Sequence, residues 1–223
     1  MKRNWYKILA VILLLYAIIA GFLVDVPETN IQDSMRNVFF HVGMWFAMLA
    51  VCFYAVIYSI KYLGSQDIIY DIKARESVNV GIFFGIVGII TGMAWAKFTW
   101  GVLWANDPHL NGAVVSLMAY FAYLVLRSSI PDTDKAARTA AVYNIFAFVL
   151  LLVFIGVLPR LSENTLHPGS KDGNPAFGDM DAKMRYVFYP ALLGWIMLGV
   201  WIMNLRIRFK VLQSKISGDY DRD

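Results

Sequence analysis

The chain has 223 residues, 59% hydrophobic and only 16% charged, where soluble domains carry about 25% charged residues. With a mean hydropathy of +0.56, this composition excludes an ordinary soluble domain. The formal net charge of +4 does not mark a nucleic-acid binder either, because the basic residues flank apolar runs, where they act as membrane-topology determinants.

At roughly 20 residues per crossing, about six helical spans fit, joined by short loops. Residues 1–223 are therefore expected to form one all-α, polytopic membrane bundle with no separate soluble module. Lys2, Arg3 and Lys7 precede the apolar run Ile8–Val24. A secretory signal would look similar, with Ala17–Gly21 as its small-residue region. The run is longer than a usual signal core and more spans follow, so a retained first helix is expected. The polar connection Asp25–Asn37 carries Pro27 and Asn30. A second span runs from Val38 to about Ile60, with His41 one turn inside it. Lys61–Ser77 is charged and is predicted to be a loop. Val78–Ala94 is the third span, and the segment Trp95–Asn111, WAKFTWGVLWANDPHLN, follows it. Gly112–Leu126, Thr139–Leu158 and Tyr186–Leu205 complete the six. Between them lie the turn Arg127–Arg138 and the longest loop, Pro159–Arg185, whose His167-Pro168-Gly169 and further Gly, Asn, Asp and Pro residues signal turns. Arg206–Asp223 is a charged tail. Cys52, the single cysteine, excludes an internal disulfide and reads as a small buried or lipid-facing residue.

Under this span assignment, 14 of the 20 Lys and Arg residues fall on the side of the two termini and 6 on the other. Both termini are accordingly expected to be cytoplasmic. All three histidines, His41, His109 and His167, then lie at the outer face with the tryptophan segment. Imidazole is a common ligand for haem iron and other metals, and two histidines from different helix ends could approach opposite faces of a flat cofactor. Each histidine also has a plainer role. His41 suits an interfacial residue bonded to a nearby carbonyl, His167 an exposed loop residue, and His109 a residue that caps or solvates a turn.

Trp95, Trp100 and Trp104 stand five and four residues apart. An aromatic belt at the membrane surface is one explanation. Three indoles with a carboxylate and a histidine are denser than a belt requires, and a platform for a flat ring system such as a porphyrin is the other. Indole N–H groups or a nearby arginine, with Arg36 as a possible contributor, would meet the propionates. Asp107 repels them, and is expected to cap the helix that starts near Pro108 or to order the loop.

At these residues the sequence resembles the tryptophan-rich "WWD" group of haem-handling proteins of cytochrome c maturation. Within that group it is most similar to the haem exporter protein C family, CcmC. The run of Trp95, Trp100-Gly101, Trp104, Asn106-Asp107 and His109-Leu110 resembles the signature motif. Arg36-Asn37-Val38-Phe39-Phe40-His41-Val42 and Asn164-Thr165-Leu166-His167 resemble its two histidine motifs. Asn106 stands where the family commonly has a tryptophan, and His109 where it commonly has an arginine. The resemblance implies a haem-presenting protein of the bacterial inner membrane. His41 and His167 would be axial ligands to the iron of haem b, and Trp95, Trp100, Trp104 and Asp107 the outer-face platform. The implied partners are a periplasmic haem chaperone of the CcmE type, a CcmA/CcmB-type ATP-driven transporter and a small CcmD-like subunit. The chain carries no Walker-type phosphate loop, so ATP hydrolysis would belong to a partner, and the resemblance implies a haem transfer or assembly factor rather than a classical enzyme. Competing readings are a cytochrome b-like electron-transfer subunit, a non-haem permease or assembly subunit, and a haem lyase. Histidines in outer loops count against the first, and the compact length against the last.

Overall fold

The computed structural model describes residues 4–26, 33–162, 165–167 and 180–217. Lys2, Arg3, Pro27, Asn30, Asn164, Pro168, Gly169, Lys171, Arg222 and the turn-forming cluster of the last loop lie outside the described residues. Among those described there is no strand. The helices are α1 (Trp5–Leu23), α2 (Val38–Ser65, preceded by the 3-10 turn Asp33–Asn37), α3 (Ile68–Trp100), α4 (Pro108–Ser129), α5 (Thr133–Leu151), α6 (Leu158–Leu161) and α7 (Ala182–Ile216). A π-helical stretch, Leu152–Val157, joins α5 to α6, so that Thr133–Leu161 is one continuous rod. Six helical stretches are long and apolar enough to cross a membrane among the described residues, and the chain is a multi-pass membrane protein. In lipid, helices satisfy their own backbone groups. The starts of α3, α4, α5 and α7 are closed by aspartates: the side chains of Asp67, Asp107, Asp132 and Asp181 accept the N–H groups of Ile69, His109, Lys135 and Lys183.

The expectation of a loop over Lys61–Ser77 is corrected. Helix α2 continues to Ser65 and α3 begins at Ile68, leaving Gln66 and Asp67 as the whole connection. Gln66 takes the left-handed conformation, with φ 58°. The charges that suggested a loop are absorbed within the helical extensions. Buried Asp71 is bound by Arg127, with Nη1 donating over 2.7 Å, and buried Glu76 by Nε of Arg206, also over 2.7 Å. Helices therefore outrun the apolar stretches that betray them.

Helix α1 lies antiparallel on α7: the Tyr16 hydroxyl donates to the Tyr186 carbonyl, and Asn204 donates to the Tyr6 hydroxyl near the opposite end. Helix α2 packs on α3, α5 and α7 and centres the core, with Met48 and Val51 fully buried beside Phe84, Tyr120 and Met203. Helices α2 and α3 share an antiparallel register of glycine against bulk. A Cβ on Gly81, Gly85, Gly88 or Gly92 would meet Cys52, Met48, Trp45 or His41 at 2.4, 2.8, 2.8 and 2.8 Å respectively. Small residues on one helix let the other approach closely, and the last two steps of this ladder seat Trp45 and His41.

Candidate functional site

At the end of the bundle opposite the Asp71 and Glu76 ion pairs, helix ends bring the expected residues together. The tryptophan segment is not a separate connection. Helix α3 runs through Trp95 to Trp100 and stops at Gly101, whose φ of 76° suits glycine and whose N–H bonds the Lys97 carbonyl over 3.1 Å. Trp104 stands in the connection that follows, and α4 opens at Pro108 with Asp107 as its cap.

His41, on the first turn of α2, is largely buried. Its Nδ1 lies 3.1 Å from Oγ1 of Thr91. The Thr91 hydroxyl has one proton, shared between the carbonyls of Val87 and Gly88 at 2.9 and 3.0 Å. Its oxygen is left to accept, so His41 carries its proton on Nδ1 and its lone pair on Nε2, the form that binds metal. The ring meets Trp45 and Trp95 edge-on, with centroids 6.5 and 5.8 Å away.

Asp107 organises the other half of the site. Its Oδ1 accepts from the His109 N–H at 2.8 Å and from Nδ1 of His167 at 3.1 Å. Its Oδ2 accepts from the Thr165 hydroxyl at 2.9 Å and the Leu166 N–H at 2.6 Å. Burial works against the charged carboxyl, yet the hydrogen bonds from His167, Leu166 and His109 hold it well below the usual carboxylate range. One carboxylate thus caps α4, pins the 165–167 segment across it, and sets the His167 tautomer with the lone pair on Nε2. Thr165 gives its proton to Asp107 and accepts from the His167 N–H at 3.2 Å, so Nδ1 of His109, 3.3 Å from the same oxygen, carries a proton as well. His109 and His167 stack, with centroids 4.5 Å apart and planes 17° apart. Trp95 and Trp100 meet His167 edge-on at 6.5 and 5.6 Å.

These groups surround a cavity of about 550 Å³ lined by His41, His109 and His167, by Trp45, Trp95, Trp100 and Trp104, and by apolar residues of α2, α3, α4 and α7. That size falls within the roughly 300–1,000 Å³ of small-molecule sites. Two sequence expectations shift in role. Asp107 is 1% exposed and faces the histidines, below the cavity wall. Arg36 turns to α1, where Nη1 donates to the carbonyls of Gly21 and Val24 at 2.7 and 2.8 Å; the arginine on the cavity is Arg160, which also donates to the Gly156 carbonyl. The indole N–H of Trp95 reaches Ser34 Oγ at 3.3 Å. Thr91, Trp45 and Arg160 were missed by sequence reasoning. Trp45 was findable, lying four residues beyond His41 on one helix face; Thr91 and Arg160 carry no local signal.

A family model described as Heme exporter protein C matches residues 2–220. Curated relatives carry the same description. That of Escherichia coli K12 is 25% identical over 222 residues, covering 93% of this chain and 83% of its own. That of Paracoccus denitrificans is 24% identical over 202 residues, covering 88% and 81%. That of Bradyrhizobium diazoefficiens is 26% identical over 217 residues, covering 95% and 80%.

Proposed function

From the membership of this chain in the haem exporter protein C family, we propose that it holds haem b as cargo at the outer face of the bacterial inner membrane during c-type cytochrome biogenesis. The observation that carries the reading is that His41 and His167, 126 positions apart in the sequence, line one indole-walled cavity with both Nε2 lone pairs fixed by hydrogen bonds at Nδ1. The separations of 5.8 and 6.5 Å through Trp95 keep the two rings within 12.3 Å of each other. The cavity fits a flat apolar macrocycle with charged edge groups: indoles on its walls, imidazoles for the iron, and the Arg160 guanidinium for a propionate.

In this reading each side chain has a distinct task. His41 ligates from the rigid first turn of α2, and Thr91 orients it. His167 ligates from the loop side, and Asp107 orients it and strengthens it as a donor. Trp95, Trp100 and Trp104, with Trp45 deeper in, exclude water and supply stacking surface. Occupation of both axial positions suits a holding site, since it limits oxygen chemistry and leaves the porphyrin edge to a partner. That partner is a periplasmic chaperone of the CcmE type, with a CcmA/CcmB-type ATP-driven transporter and a small CcmD-like subunit in the same assembly. Both termini are cytoplasmic. An electron-transfer role, the competing reading, is disfavoured by His167 and Trp104 standing on loop segments at the bundle end.

The test is the absorption spectrum of the purified protein produced with a haem supply. Six-coordinate, low-spin haem is expected, with His41→Ala changing the iron's coordination and lowering retention by about tenfold or more. A His41→Ala/His167→Ala protein with an unaltered spectrum would remove both as ligands.

A further inference from the structure

We propose that His109 is a second iron ligand on the loop side of the cavity, interchangeable with His167. This rests on the haem-holding reading above. Its own support is geometric. The two rings are nearly parallel at 4.5 Å, and both line the cavity. Both Nδ1 atoms are tied to one hydrogen-bonded unit, His167 to Asp107 directly and His109 through Thr165. With their Nδ1 edges held on the same side, both Nε2 lone pairs face the other way, side by side.

The two histidines differ in what carries them. His109 belongs to the first turn of α4, held by the Asp107 cap, and so is fixed to the membrane scaffold. His167 belongs to the 165–167 segment, which reaches the scaffold through the same carboxylate. When His167 is withdrawn, as handing cargo to a partner on the loop side requires, His109 is the nearest imidazole on that face. The exchange breaks the bond from iron to Nε2 of His167 and forms one to Nε2 of His109. Both ligands are neutral imidazoles, so no proton or electron moves and the iron keeps its oxidation state.

Asp107, His109 and His167 also place ligand atoms within 4.8 Å of one another, which raises a single divalent ion as the occupant. Two features argue against it. The carboxylate already accepts four hydrogen bonds, and stacked rings present their nitrogens in parallel where chelation of one ion needs them to converge.

The experiment compares four full-length proteins produced with the same haem supply: wild type, His167→Ala, His167→Ala/His109→Phe, and His41→Ala. Phenylalanine keeps the stacking ring and removes the nitrogen, so packing alone cannot account for a difference. Haem per protein and the low-spin signal in absorption and electron paramagnetic resonance spectra are read. His167→Ala is expected to keep low-spin haem within about twofold of wild type, and the double variant to lose it by about tenfold or more. Exogenous imidazole should restore the low-spin signal in the double variant. If His167→Ala is already high-spin, or the double variant remains low-spin, His109 is not a ligand. The His41→Ala arm separates the two readings: if that variant matches wild type, the haem-holding reading has failed. If it loses the low-spin signal while His167→Ala matches the double variant, only the exchange has failed.

Discussion

Asp107 shows how much one side chain decides when it is buried. It takes four donors: two backbone N–H groups, a hydroxyl and an imidazole N–H. An amide of the same shape replaces one acceptor oxygen with a donor, so Asp107→Asn sets N–H against N–H at one of these contacts, or forces His167 into its other tautomer. Each charge-assisted hydrogen bond is worth about 1.5–3 kcal/mol, and mispairing a buried donor costs a similar amount. The Asp107→Asn protein is expected to insert in the membrane and to lose much of its low-spin haem signal, read as haem per protein after purification. Because the carboxylate holds His167 directly and His109 through Thr165, an unchanged spectrum would mean that both imidazoles are oriented by something other than Asp107. The same reasoning explains why an acid can sit beside the proposed site for an anionic porphyrin: its charge is taken up by donors beneath the cavity.

Among the elements, the pairing of α2 with α3 sets the inner half of the site. The glycine ladder from Gly81 to Gly92 brings the helices close enough for Trp45 and His41 to fill the space that side chains on α3 would occupy. Replacing Gly92 by alanine would improve intrinsic helix propensity by up to about 1 kcal/mol, yet its Cβ would stand 2.8 Å from Cε1 of His41. Gly92→Ala is therefore expected to leave the helix intact and push the His41 ring off its Thr91 hydrogen bond. The measurement is the ratio of haem to protein at matched expression, and wild-type haem content would show that His41 has room to yield. On the other side of the site, the π-helical stretch Leu152–Val157 widens the rod just before Pro159, and such bulges favour functional positions. The α4 backbone fits closely against it, since a Cβ on Gly112 would lie 2.3 Å from the Phe154 carbonyl oxygen. Arg160 follows one turn later, which is how a residue from the fifth span comes to face the cavity.

At the scale of the whole molecule the two ends of the bundle do different work. One end holds aromatic and imidazole groups around a cavity; the other is tied by ion pairs on buried carboxylates, Asp71 with the largely buried Arg127 and Glu76 with the exposed Arg206. Breaking a buried pair by removing one partner costs about 3–5 kcal/mol, because it strands the other charge. Arg127→Ala is accordingly expected to lower the thermal stability of the detergent-solubilised protein clearly, while the folded fraction keeps the wild-type haem spectrum. A spectral change in that folded fraction would mean that the two ends are coupled through the α3 and α4 rods.

Composition and hydrophobic runs by themselves determined that this is a six-span helical membrane protein, because a bilayer admits few backbone solutions and each crossing leaves an apolar run of known length. They also singled out His41 and the three tryptophans, since polar or amphipathic side chains at the ends of apolar runs stand out against them, whereas His167 drew notice only through the outer face it shares with them and the motif it resembles. Asp107 as the cap of the fourth span was legible for the same reason, being next to Pro108. Only the tertiary structure decided where the helices end, because charged residues such as Asp71 and Glu76 stay helical once a distant arginine pairs with them. Contact between distant segments also settled which arginine faces the cavity, which hydroxyl orients His41, and that His109 stacks on His167. Those relations depend on separations in space between residues 50 or more positions apart, which no local pattern encodes.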